Sequence, residues 1–368
     1  MARKRVAGVA RESHCAYGAQ LPVPCSNTLL QKQKCVKSED RRVIMDKYID
    51  LHLHLDGAIT PDIAYKLAAL QGIDLPNGEA LEKRLSVSED CADLNEFLEC
   101  FALPLSLLQT KETLSEAARL VLDDAFSNGV IYAEIRFAPQ LHTQNGMTQE
   151  DAVLAVLDGL KKSKGRGNII LCCMRGEGND AANLETVELA KKYLVKDGGV
   201  VAIDLAGAEG LFPTSKYRGL FAKAREYGIP FTIHAGEADG AKSVRLALEY
   251  GAARIGHGVR SFEDGEVLKI LKDRAVPLEM CPTSNRQTHA VEDMSAYPFM
   301  DYMNMGLKVT LNTDDPAIER TTIAAEYKYM EKTFGLSEKQ ERILLENAVE
   351  AAFTDDKTKA ELTNMLFG

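Results

Sequence analysis

No stretch of this chain approaches the roughly 20 consecutive apolar residues that a membrane-spanning helix needs, so a bilayer-crossing segment is excluded. Arg3, Lys4 and Arg5 open the sequence, but no apolar segment follows them, which argues against a secretory signal. Positive charge is also short: 44 Lys and Arg against 54 Asp and Glu leave a net charge of −10. A general nucleic-acid binder needs a positive surface to meet a polyanion, so that class falls away, whereas a neutral small molecule suits the balance. The eight cysteines contain no CxxC pair. Cys15, Cys25 and Cys35 lie near the N-terminus and Cys172-Cys173 inside an apolar run, which reads as small core-filling thiols in a reducing, cytoplasmic compartment. No internal repeat, low-complexity tract or Gly-rich phosphate loop is present.

What is there is an ordinary globular composition, 45% hydrophobic and 27% charged over 368 residues. Residues 1–44 mix polar, basic and small side chains without periodicity and read as a disordered leader or an upstream extension before Met45. Residues 45–368 form the single expected domain. From Tyr48 the chain alternates short β-rich runs with amphipathic helical segments. The expected strands are 48–53, 130–137, 168–174, 200–205, 230–234, 253–257, 276–280 and 308–313. Runs such as VVAIDL and NIILCCM are apolar throughout, as parallel strands covered on both faces should be. Thr60-Pro61 reads as a helix N-cap followed by proline in the first turn, and Thr148 with Asp151 and Ser337 with Gln340 read as capping boxes. Leu114, Ala117, Ala118, Val121, Leu122 and Ala125 share one helical face, with Gly129 as the stop. Eight strands separated by helices predict a (β/α)8 TIM barrel, with two extra helices between Ala58 and Val130 and further helices at the C-terminus.

Four short motifs carry chemistry. In Asp50–Gly57 (DLHLHLDG), His52 and His54 stand two apart on a strand and therefore share a face, where both imidazoles can bind one metal ion. A pair of half-buried histidines satisfied by backbone would give the same string. In Thr232–Glu237 (TIHAGE), His234 offers a third nitrogen and Gly236 lets the backbone turn so that Glu237 lies nearby; a surface turn is the plainer reading. His257 stands between Gly256 and Gly258, which suits a ligand contact or an incidental turn. Asp314-Asp315 are adjacent carboxylates that repel unless a cation or solvent relieves them; a solvated turn capping a helix reads the same way. All four motifs fall at the C-terminal ends of expected strands, the face on which α/β barrels build active sites. Taken together, His52, His54, His234 and Asp314 make an N3O set suited to one Zn²⁺, with iron, manganese and cobalt also compatible. Such an ion lowers the pKa of a bound water to roughly 7, which predicts a metal-dependent hydrolase.

The segments HLHLDGA, EIRFAPQLHT, VVAIDLAG, TIHAGEADG, RIGHGVR, LEMCPTSN and VTLNTDDPA, in this order between about Tyr48 and Tyr327, resemble the adenosine deaminase family. The resemblance implies zinc-dependent hydrolytic deamination of adenosine, and of 2′-deoxyadenosine, to inosine and ammonia, within purine salvage and nucleotide metabolism. It implies His52, His54, His234 and Asp314 as zinc ligands, and Glu237 as the acid that protonates a purine ring nitrogen. His257 and Asp315 match the pair that orients or deprotonates the attacking water. Gly207 matches a backbone contact to the purine, Asp56 a contact to the ribose hydroxyls, and Asp315 also touches the substrate. The implied partners are a purine nucleoside and water, with no nucleic acid and no membrane; a monomer or weak homo-oligomer is expected. Related adenine deaminases typically carry Glu where Asp56 stands, so adenine or a modified adenosine is the alternative substrate. Where the family often has an acidic residue directly after the DLAG glycine, this chain has Ala208 and then Glu209. Asp204 is a further candidate, as a carboxylate that holds a ligand imidazole. The HxE…PCxxC signature of the cytidine and tRNA deaminases is absent.

Overall fold

A computed structural model describes residues 46–88, 91–291 and 293–368; the expected leader, residues 1–44, lies outside the described residues. Eight parallel strands follow one another: β1 (Tyr48–His54), β2 (Val130–Phe137), β3 (Gly167–Met174), β4 (Val200–Ala206), β5 (His234–Ala235), β6 (Ile255–His257), β7 (Leu278–Met280) and β8 (Val309–Leu311). They pair in sequence order as two four-stranded runs, β1–β4 and β5–β8. Two short seams join the runs into a barrel. At one, His54 N donates to Asp314 O (2.8 Å) and Asp314 N donates to His52 O (2.7 Å); at the other, Thr232 N donates to Ile203 O (3.1 Å). The first seam is formed by candidate site residues themselves, so closing the barrel brings His52, His54 and Asp314 together.

The first four strands match expectation to within a residue at each end. The last four are shorter: the expected strand over 230–234 retains only His234–Ala235, with Phe231 in a single bridge to Ile203. The apolar segments there still line the core, but their backbone groups pair over only two or three residues. Periodicity reports burial, and burial continues where the ladder does not.

Local signals fix the helices. Thr60 Oγ1 accepts from Ile63 N, and both capping boxes form. The expectation of two helices between Ala58 and Val130 is corrected to five: Pro61–Gln71, Glu79–Leu85, Leu94–Glu99, Ala102–Leu107 and Lys111–Ser127. The three in the middle have only six or seven residues each, too few for a helical repeat to stand out. After β8 come the helices Pro316–Glu319, Ile323–Phe334, Glu338–Ala351 and Asp356–Phe367. No helix among the described residues is long and apolar enough to cross a membrane.

Candidate active site

The motif residues meet in a cleft of about 290 Å³ at the C-terminal ends of the strands, lined by His54, Asp56, Gly207, His234, Glu237, His257, Asp314 and Asp315. His52 lies beneath them, fully buried. Much of the remaining lining is apolar. Leu94, Phe97, Leu98, Phe101 and Leu105, from the short helices inserted after β1, stand there with Leu141 and Met174. A largely apolar lining with a few convergent polar groups suits a flat heterocycle with a few hydrogen-bonding edges.

His52 Nε2 lies 3.1 Å from His234 Nε2 and 3.1 Å from Asp314 Oδ1. His54 Nε2 lies 3.3 Å from each of the same two atoms. The other ring nitrogens show what occupies this focus. His52 Nδ1 is 2.8 Å from Glu279 Oε2, and His234 Nδ1 is 2.9 Å from Asp204 Oδ2, the latter in an oblique contact. With both rings neutral, as metal ligands must be, a carboxylate facing Nδ1 places the proton there, and both Nε2 atoms present lone pairs to each other. Two lone pairs at 3.1 Å repel unless a cation lies between them. The separations also match the edge, about 3.3 Å, of a tetrahedron of ligands around a zinc-sized ion. Burial pushes His234 down to about 4, which keeps the ring neutral as a metal ligand must be. The donor set therefore fits a divalent cation.

The carboxylates behind the imidazoles belong to a buried ionic lattice. Arg136, fully buried in β2, donates to Asp204 Oδ2 (2.8 Å), Glu279 Oε2 (2.8 Å) and Leu51 O (2.7 Å). Arg254 reaches Glu279 Oε1 and Glu134 Oε2, both at 2.6 Å. Burial pushes the Glu279 carboxyl up, but Arg254 and Arg136 outweigh it and hold it well below the usual range. Asp204 is likewise held down against burial by His234 and Arg136. Below the lattice, Phe353 N donates to Glu134 Oε1 (2.5 Å) and the Phe353 ring lies 3.8 Å under the Arg254 guanidinium, where the turn after Glu338–Ala351 covers the far end of the barrel.

Asp50 ties β1 to the β8 loop. Its carboxylate accepts from Thr313 Oγ1 at 2.6 Å and from His52 N at 3.2 Å, and burial pushes it up to about 6. Asp314 adopts φ +72° and His257 φ +58°, left-handed conformations that non-glycine residues rarely hold, and both side chains point at the focus. Gly57 is required by Asp315: a Cβ there would sit 1.7 Å from Asp315 Oδ1. That oxygen is buried without a hydrogen-bond partner. Burial, then Asp314 and Asp56, push the Asp315 carboxyl well up.

His257 stands beside this four-donor focus. Its Nε2 is 3.5 Å from Glu237 Oε2 and 3.7 Å from Asp314 Oδ2, while Nδ1 meets the Asn285 amide nitrogen at 3.0 Å. Its ligating atom also lies within 4.8 Å of those of His52, His234 and Asp314. It lacks the carboxylate behind the ring that His52 and His234 have, and burial holds it neutral, well below its ordinary range. Glu237 is 5% exposed, and Oε1 accepts from Thr288 Oγ1 at 3.2 Å. Burial first, then the charges of Asp314 and Glu209, push its carboxyl well up, so it retains its proton where an ordinary glutamate has lost it.

All nine residues singled out from the sequence are thus gathered at one end of one barrel, and Asp204 stands behind His234. Sequence reasoning missed Glu279, Arg136, Arg254 and Asn285. The available signal was a charge inside an apolar strand: Glu134 and Arg136 in VIYAEIRF, and Glu279 in PLEM.

Comparison with known proteins decides the family: the adenosine deaminase family model matches residues 48–367. The chain belongs to the adenosine deaminase family. A member from Haemophilus ducreyi, named adenosine deaminase, is 50% identical over 322 residues, 85% of this chain and 94% of that protein. Among solved structures, an adenine deaminase from Arthrobacter aurescens matches with a TM-score of 0.78 and 30% identity, covering 86% of this chain and 97% of the other. An N6-mAMP deaminase from Arabidopsis matches with a TM-score of 0.76 and 27% identity, over 87% and 97%. These two solved structures share the barrel, and the three names differ in what is deaminated: adenosine, adenine and N6-mAMP.

Proposed function

We propose that this chain hydrolytically deaminates adenosine to inosine and ammonia with one zinc ion held by His52, His54, His234 and Asp314. The observation that carries this reading is the convergence of two carboxylate-backed imidazoles, a third imidazole and Asp314 beside a carboxyl that keeps its proton. The ion's part is to acidify a water at neutral pH.

The chain's own groups supply the rest. Water can add to C6 of the purine only if N1 gains a proton as the ring loses its aromaticity, and Glu237 is the acid poised to give it. His257, neutral and in contact with both Glu237 and Asp314, receives or orients the water's proton, with Asp315 also lining the cleft. The C6–O bond forms as one proton of the water passes to His257; that proton then goes to the leaving nitrogen, the C6–N bond breaks and ammonia departs, and the proton of the C6 hydroxyl returns to the Glu237 carboxylate as the 6-oxo group forms. The backbone at Gly207 lines the purine side of the cleft and the apolar helices cover the other face. The described thiols are free and mostly buried, which supports a reducing, cytoplasmic setting.

Asp56 decides among substrates. It lines the cleft and is 6% exposed, so its carboxylate accepts hydrogen bonds from ribose hydroxyls and repels a 5′-phosphate. The relevant experiment is a kinetic panel of adenosine, 2′-deoxyadenosine, adenine and AMP, followed by loss of the adenosine absorbance band. The wild type favours the two nucleosides. Asp56→Ala raises KM for adenosine by about 10- to 100-fold, as expected on losing hydrogen bonds to a charged acceptor, and leaves adenine turnover unmoved. Adenine or AMP as the best substrate, or an unchanged adenosine KM in Asp56→Ala, overturns the substrate assignment.

A further inference from the structure

We infer that Glu209 is a positioning residue for the acid: its carboxylate clamps the loop that carries Glu237 and couples that loop to the one that contacts the purine. Glu209 is 1% exposed and leaves the β4 loop two residues beyond Gly207, which lines the cleft. Its side chain crosses to the β5 loop and accepts from four consecutive backbone N–H groups there. Oε1 takes Gly236 N at 2.8 Å; Oε2 takes Glu237 N at 3.0 Å, Ala238 N at 2.8 Å and Asp239 N at 2.9 Å. Successive N–H groups that converge in this way form an anion nest, and Gly236, at φ +74°, supplies the turn that aims them.

The clamp is extended by a directed chain of donors. Arg175 donates to Thr214 Oγ1 (3.0 Å), whose hydroxyl lies 2.7 Å from Ser243 Oγ, and Ser243 donates to Glu209 Oε1 (2.5 Å). The same guanidinium donates to His234 O at 2.6 Å. With five donors around its two oxygens, the Glu209 side chain is satisfied only as the carboxylate anion. A glutamine there would turn an amide NH2 toward N–H groups that need an acceptor. The backbone of Glu237 is thus held on both sides: by β5, which ends at Ala235, and by a carboxylate fixed from the neighbouring loop. Asp or Glu directly after the DLAG glycine is absent here, and Glu209 one place further on is the residue that spans the gap.

This inference rests on Glu237 being the acid, and a double-mutant cycle separates the two claims. The probe is a nucleoside analogue with a tetrahedral, hydroxylated carbon at the C6 position, its affinity measured by calorimetry on the metal-loaded protein. Glu209→Gln lowers that affinity by about 100-fold, the scale of a misplacement near 1 Å, while inosine binding moves by less than about threefold. In the Glu237→Gln background the same substitution costs less than about threefold, because the group it positions is already gone. Ser243→Ala, which removes one donor and leaves the nest, gives a smaller loss of roughly 10-fold that also vanishes in that background. It decides the matter if Glu209→Gln does not fold. Losses that add independently to that of Glu237→Gln, or analogue affinity within threefold of wild type for both variants, overturn the positioning role. If Glu237→Gln alone leaves turnover near wild type, it is the acid assignment that fails instead.

Discussion

Replacing Glu237 by Gln lowers kcat by about 10³-fold, the usual scale for a positioned general acid, with the fold and the metal content unchanged. The side chain keeps its size and can still accept from Thr288, which lies 3.2 Å away. What it loses is the proton that N1 must receive as C6 becomes tetrahedral. The pH dependence gives an independent reading. Burial, with Asp314 and Glu209 adding, raises the Glu237 carboxyl well above its ordinary value. The protonated form is the active one, so kcat/KM is fully present below the raised pKa and falls as pH climbs through it. An ordinary glutamate would already have lost its proton across the neutral range. Steady-state profiles of the wild type should show that alkaline limb, and Glu237→Gln should retain only a low residual rate without it. Turnover within tenfold of wild type in Glu237→Gln removes the acid from the mechanism.

Arg136→Met carries the largest expected effect on stability. The guanidinium is fully buried and neutralises Asp204 and Glu279, each 2.8 Å away, while also donating to Leu51 O. Methionine fills part of the volume but leaves two buried carboxylates facing each other without their shared cation. Breaking a buried ion pair in this way costs about 3–5 kcal/mol, which urea or thermal unfolding will read directly. The same carboxylates fix the Nδ1 protons of His52 and His234, so metal affinity falls by about 10- to 100-fold as the imidazoles lose their orientation. Competition with a chromogenic chelator measures it. An Arg136→Met protein that unfolds at the wild-type midpoint and holds metal as tightly contradicts the coupling between lattice and site.

The residues that touch the cleft are legible in the chain because each sits where a strand ends. The HxH pair shares a strand face, and His234, His257 and Asp314-Asp315 each follow a short β-rich run. One barrel rim collects them all. The supporting residues are less legible because their partners are distant in sequence. Arg136 and Glu279 meet across 143 residues, and no local pattern foretells that contact. Glu209 is similar: in sequence it is one acid in a loop, and only the fold reveals the four N–H groups around it. The short inserted helices are illegible for a different reason, since six- and seven-residue helices carry less than two turns of pattern. Strands β5–β8 are shorter than their apolar runs because apolar character continues beyond the hydrogen-bonded residues.

The central claim is that His52, His54, His234 and Asp314 share a single divalent ion on which hydrolysis depends. Elemental analysis of purified, active protein, paired with a chelator titration, tests it most directly. One zinc per chain, with adenosine turnover declining in step as the ion is withdrawn and returning when zinc is restored, is the predicted result. Full turnover by a preparation shown to be free of metal contradicts it.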